Sequence, residues 1–139
     1  MKADVLIFAA GFGKRLRPLT YKIPKPVVEV GGRALIDRHF ELLARSAFKK
    51  VIVNLHYKGE MIKDYVAKNG AHGLEVVFSE EEVLLNTGGT IKNIEPLLEH
   101  DNLITINSDA LLDPDFSLEG LYNSHINNEA EPLVTMLLR

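Results

Sequence analysis

The chain has 139 residues, 46% of them hydrophobic, a net charge of −3 and no cysteine. That is one domain's length with enough apolar content for a core, which excludes disordered and low-complexity classes. Without cysteine there is no disulfide-stapled fold, cysteine nucleophile, iron–sulfur cluster or cysteine zinc site.

Apolar runs alternate with helix-period segments along the chain. Asp4–Ala9 is a short continuous apolar run, the pattern of a buried strand. Ala34–Ala47 places Leu35, Ile36, Phe40, Leu43 and Ala47 on one helical stripe, with Arg38, Glu41 and Arg45 opposite. Lys50–Leu55 is a second strand. Met61, Ile62, Tyr65 and Val66 mark a second helix, stopped near Asn69-Gly70. Glu75–Ser79 is a third strand, and Thr90–Leu98 carries Ile91, Ile94, Leu97 and Leu98 at helical spacing. Asn102–Asn107 is a fourth strand, Ser117–Ile126 a helix, and Pro132–Leu138 a fifth strand.

Such alternation predicts βαβ units, a mainly parallel sheet and helices on both faces, an α/β three-layer αβα sandwich of Rossmann-like form. Ligands of open parallel sheets bind beyond the carboxyl ends of the strands. That rule selects Ala10–Lys25, Glu80–Gly89 and Asn107–Asp115. Pro132–Arg139 ends on apolar sequence with no following helix, so the chain reads as the N-terminal part of something longer. A partner copy in a homo-oligomer is the alternative cover for that surface. No apolar run approaches the ~20 residues of a membrane span, and Lys14, Arg15 and Arg17 occupy the place of a signal-peptide cleavage region. The expectation is a cytoplasmic protein.

Charge is unevenly placed. Residues 1–25 hold six basic residues against Asp4 alone, a net +5, whereas the remainder holds ten basic and eighteen acidic residues, a net −8. A compact basic segment on an acidic body suits a small anionic ligand and argues against nonspecific nucleic-acid binding.

The first strand runs into Ala9-Ala10-Gly11-Phe12-Gly13-Lys14-Arg15-Leu16-Arg17-Pro18-Leu19-Thr20, followed by Ile23-Pro24-Lys25-Pro26. Two glycines past a strand allow a tight turn and a close approach of backbone amides to an anion, where Lys14 and Arg15 add charge. No Gly-Lys-Ser/Thr follows, so this is not a P-loop. Leu16 stands where the dinucleotide fingerprint needs its third glycine. Pro24 and Pro26 stiffen the backbone around Lys25.

The extended pattern, Ala-Ala-Gly-x-Gly-x-Arg-Leu-x-Pro-Leu-Thr and then Pro-Lys-Pro, resembles the signature of the sugar-1-phosphate nucleotidyltransferases. The resemblance covers essentially residues 2–112. It implies the nucleotide-diphospho-sugar transferase fold, with residues 1–139 as the nucleotide-binding N-terminal part of one domain. The implied reaction is NTP plus sugar 1-phosphate giving NDP-sugar and pyrophosphate, a step of NDP-sugar and cell-wall synthesis. The implied catalytic residues are Arg15, Lys25 and Asp109. Ala10, Gly11, Gly13, Lys14, Arg15, Lys25, Thr87 and Gly88 would bind nucleotide, Asn107 the sugar phosphate, and Asp109 a Mg²⁺ ion.

Two further segments carry this reading. Leu85-Asn86-Thr87-Gly88-Gly89-Thr90 opens a helix; Thr87 is expected to cap it, and the glycine pair leaves amides open to a ligand. Asn107-Ser108-Asp109 ends the fourth strand, and family members more often have glycine where Ser108 stands. The short first loop and the Thr-Gly-Gly-Thr turn are most similar to small bacterial N-acetylmuramate 1-phosphate uridylyltransferases and mannose-1-phosphate guanylyltransferases, which points to UTP or GTP.

Other readings stay open. One is a phosphocholine-type cytidylyltransferase, and another a nucleotide-binding regulatory remnant without turnover. A third is a glycosyltransferase whose metal motif would be Asp113-Pro114-Asp115, although turn chemistry explains that motif adequately. Glu80-Glu81-Glu82 reads as a solvated loop. His39, His56, His72, His100 and His125 lack ligand spacing and read as structural or solvated.

Overall fold

The computed structural model describes residues 1–46, 48–113 and 115–137. In chain order it comprises β1 (Asp4–Phe8), a hairpin of β2 (Glu29–Val30) and β3 (Arg33–Ala34), α1 (Leu35–Arg45) and β4 (Lys50–Leu55). There follow α2 (Gly59–Asn69), β5 (Glu75–Glu80), α3 (Asn86–Ile94), β6 (Leu103–Asn107) and α4 (Leu118–Ile126). Strands β1, β4, β5 and β6 form one parallel sheet in the order β5-β4-β1-β6.

Alternation along the strands builds two cores, because successive side chains leave opposite faces. Val5, Ile7, Val51 and Val53 meet Ile36, Phe40 and Leu43 of α1, Ile62 of α2 and Leu118 of α4. Leu6 and Ile52 point the other way, under Ile94 of α3. The sheet is therefore the middle of three layers. It is anchored at its base by Asp4, whose buried carboxylate accepts the Glu99 and His100 amides at 2.8 Å each.

Chain order and strand order together locate the cleft. From β1 the chain steps outward to β4 and β5, then returns to the opposite side of β1 for β6. Phe8 and Asn107 are register partners, so the ends of β1 and β6 lie side by side where the connections diverge. This is the switch point at which open parallel sheets bind ligands.

One element is new and two expectations change. The sequence reading did not find the hairpin β2–β3, whose two-residue turn Gly31-Gly32 takes φ of 58° and 74°, a conformation that suits glycine. The helix expected at Thr90 begins at Asn86 and tightens after Ile94 into a 3-10 turn, Glu95–Leu97, where Pro96 has no amide proton to continue it. The fifth strand is absent over residues 132–137, with Leu133 99% and Val134 72% exposed. Apolar content does not make a strand without an edge to pair with, and among the described residues β6 pairs with β1 alone. Ala47, Pro114, Leu138 and Arg139 lie outside the described residues. Among those described, no helix is long and apolar enough to cross a membrane.

Candidate active site

A cleft of about 340 Å³ opens above the carboxyl ends of β1 and β6. One wall is the loop after β1. Ala9 donates its amide to Asn54 Oδ1 at 2.7 Å, and Ala10 carbonyl accepts from the Tyr57 amide at 3.3 Å. The loop then folds back on itself at Gly13, where φ is +60° and an added Cβ would lie 2.8 Å from Thr20 Cγ2. Thr20 Oγ1 donates to the Gly13 carbonyl at 2.8 Å, and Tyr57 hydroxyl donates to the Thr20 carbonyl at 2.7 Å. Phe12 packs on His56 and Tyr57, with ring centroids 5.5 and 5.3 Å away. A glycine is needed at 13 for both conformation and space. Lys14 and Arg15 leave this framework exposed along the cleft wall.

Lys25 enters from the end of the same loop. Pro24 and Pro26 on either side are buried, and the turn Lys25–Val27 closes through the Val28 amide to the Lys25 carbonyl at 3.1 Å. Its ammonium pairs with Asp109 Oδ2. Asp109 follows β6, on a segment tied to β1 by the Ser108 amide donating to the Phe8 carbonyl at 3.2 Å. Partial burial pushes the Asp109 carboxyl up. The hydrogen bond and charge of Lys25, helped by Arg15, outweigh it and hold the carboxyl below the usual carboxylate range. Below this segment lies His39 of α1, 2% exposed, where burial holds the imidazole below its ordinary value and therefore neutral at pH 7.

Ala10, Gly11, Gly13, Lys14, Arg15, Lys25, Thr87, Asn107 and Asp109 thus line one cavity, although Lys25 and Asp109 are 84 residues apart. Gly88 does not line it; it lies further into the first turn of α3. Thr87 is not the helix cap. Leu85 holds the N-cap position, and its amide is taken at 3.0 Å by Glu81 Oε2.

Glu81 also overturns the solvated reading of the acidic trio. It is 6% exposed, while Glu80 and Glu82 beside it are exposed. The missed signal is the period of two: the inward side of Ser79 recurs at Glu81, whose amide still pairs with the Leu55 carbonyl at 2.8 Å. Asp113 and Asp115 lie outside the cleft, where Asp113 Oδ1 accepts the Asp115 amide at 2.9 Å. That is a turn, as expected.

Among the described residues no three metal-ligating side chains converge. Mg²⁺ at phosphate sites is typically held by one or two carboxylates, phosphate oxygens and water, and Asp109 is the carboxylate that lines this cleft.

The family model for "Nucleotidyl transferase" matches residues 4–139. The chain belongs to that family. It is 37% identical over 118 residues to the N-acetylmuramate alpha-1-phosphate uridylyltransferase of Neisseria meningitidis serogroup B, covering 84% of this chain and 50% of that protein. It is also 37% identical to the mannose-1-phosphate guanyltransferase of Debaryomyces hansenii, over 80% of this chain and 32% of the relative. Among solved structures, HddC from Yersinia pseudotuberculosis superposes with a TM-score of 0.71 at 36% identity, over 78% of this chain and 48% of that one. The CTP:phosphocholine cytidylyltransferase LicC from Streptococcus pneumoniae gives 0.67 at 28% identity, over 84% and 50%. The chain spans about half the length, or less, of the relatives it matches.

Proposed function

We propose that residues 1–139 are the nucleotide-binding N-terminal part of a single nucleotidyltransferase domain. In full length it moves a nucleoside monophosphate from an NTP to a sugar 1-phosphate, releasing pyrophosphate. UTP and GTP are the favoured donors, the nucleotides of the uridylyl- and guanyltransferases it is similar to. The reading is supported above all by one observation: the glycine loop with Arg15, the stiffened Lys25 and the carboxylate of Asp109 open into the same cleft at the switch point.

An oxygen of the sugar phosphate attacks the α-phosphorus in line. The bond from that phosphorus to the bridging oxygen breaks, and pyrophosphate leaves on the opposite side. The chemistry asks for positioning and charge neutralisation without a covalent enzyme intermediate. The amides around Gly11 and Gly13, together with Lys14 and Arg15, neutralise the leaving β- and γ-phosphates. Lys25 offsets repulsion between the two anions that meet at the α-phosphorus, and Asn107 orients the sugar phosphate. Asp109 would hold Mg²⁺, which supplies Lewis-acid charge at the phosphates when bound.

The testing experiment is a pyrophosphate-release screen of the full-length protein, pairing four NTPs with a panel of sugar 1-phosphates and with phosphocholine. Release with UTP or GTP and a sugar phosphate is expected. Release with CTP and phosphocholine alone would move the protein to the cytidylyltransferase class. Nucleotide binding without release from any pair would make it a regulatory remnant. Consumption of a UDP-sugar, lost on Asp113 or Asp115 substitution, would replace the assignment by a glycosyl transfer.

A further inference from the structure

The cleft has two walls from distant parts of the chain, the loop after β1 and the turn before α3, and one buried carboxylate lies between them. Glu81 Oε1 accepts from Asn54 Nδ2 at 2.8 Å and from Thr90 Oγ1 at 2.5 Å, while Oε2 accepts the Leu85 amide at 3.0 Å. Asn54 in turn accepts the Ala9 amide at 2.7 Å. All three side chains are buried, at 6%, 2% and 1% exposure for Glu81, Asn54 and Thr90. A chain of hydrogen bonds therefore runs from the last residue before the glycine loop, across the sheet top, to the turn carrying Asn86 and Thr87.

A buried carboxylate is costly unless its oxygens are satisfied, and a carboxylate beside a triphosphate site adds repulsion. Core packing alone would be served better by an apolar residue. What Glu81 supplies instead is directional: its two oxygens fix the spacing of two backbone amides, Ala9 through Asn54 and Leu85 directly.

We infer that Glu81 is a positioning residue that holds the Leu84–Thr87 turn at a set distance from the glycine loop, so that a base lying against that turn and a triphosphate lying on the glycine loop must fit the cleft together. The inference rests on the nucleotide reading above. Glutamine at this position has one acceptor oxygen. With that oxygen kept on the Asn54–Thr90 pair, its NH₂ faces the Leu85 amide, donor against donor. Glu81→Gln therefore releases the turn while leaving the glycine loop and its cations in place.

The test measures binding to the full-length protein of each of the four NTPs with Mg²⁺, and of inorganic tripolyphosphate with Mg²⁺, which has no base. Glu81→Gln should weaken the best-bound NTP by about tenfold or more, the scale of a buried donor losing its acceptor. Its tripolyphosphate affinity should match wild type, and its preference among the four bases should narrow. Should Glu81→Gln not fold, Thr90→Val, which removes one donor to the carboxylate, should show the same selective loss at smaller size. Unchanged NTP affinity, or a parallel fall for NTP and tripolyphosphate, overturns the positioning role. A wild-type protein that binds none of the NTPs overturns the nucleotide reading instead, so the two failures are told apart.

Discussion

Lys25 and Asp109 are each other's counterion in the free cleft, with side chains 19% and 40% exposed. A partly exposed pair of this kind contributes only about 0–1 kcal/mol, so under the proposed function phosphates and a cation would separate it at small cost. Replacing either residue by alanine should lower kcat/KM of the full-length enzyme by at least ~10²-fold, or ~2.7 kcal/mol, and a rate near wild type would remove the role. The pair also has a titration signature. Because the folded carboxyl sits below its ordinary value, it adds stability above the unfolded aspartate pKa of about 3.9. That increment is lost as pH falls through the depressed folded value. In Lys25→Met the burial that pushes the carboxyl up is opposed by Arg15 and the local backbone without Lys25, so a carbon-detected NMR titration should find Asp109 at a higher midpoint. An unmoved midpoint would show that Lys25 is not its partner in solution. At this scale the resemblance carried by Pro24-Lys25-Pro26 and by Asn107-Ser108-Asp109 points to two side chains that do line one cleft. Glu81 was not legible, since three consecutive acids look solvated until the strand period is carried one residue past the strand.

Among the elements, the loop after β1 depends most on one residue. Gly13→Ala places a Cβ 2.8 Å from Thr20 Cγ2 on a backbone at φ +60°. The left-handed conformation alone costs a non-glycine residue roughly 1–2 kcal/mol, before any clash. Thr20→Ser deletes the methyl while keeping the hydroxyl that donates to the Gly13 carbonyl at 2.8 Å. In urea unfolding the double variant should therefore recover part, but not all, of what Gly13→Ala loses. Strict additivity would mean that the two side chains do not meet. Elements whose signal is local were legible: β4 was placed at Lys50–Leu55, and α2 was stopped at Asn69 by the Gly70 that follows it. The start of α3 is hidden from the local sequence because no side chain of its first turn caps it, and the residue before it, Leu85, is held by Glu81 from just beyond β5.

Taken as one molecule, the parallel sheet is legible in the alternation of apolar runs and amphipathic segments, and the pairing of β6 with β1 brings Asp109 to the loop that carries Gly13 and Lys25. The fifth strand failed for a reason that acts at the same scale. Strand formation is a property of an edge and its partner, and the apolar composition of Pro132–Leu138 does not by itself supply either. In the structure Leu133, Val134 and Met136 are 99%, 72% and 69% exposed, and residues 132–137 are tied back by the contact of Thr135 Oγ1 with His125 Nδ1 at 2.9 Å. Stability is therefore concentrated elsewhere, as at Ile94, the last residue of α3, which is fully buried against Leu6 and Ile52. Ile94→Ala should cost about 2–5 kcal/mol. Ending the 139-residue chain after Glu131 should instead change its unfolding free energy by about 0.5 kcal/mol or less, as surface changes do, while reducing self-association seen by light scattering. A large loss of stability on that truncation would mean that the segment packs against the body of the protein in solution, with its apolar side chains covered.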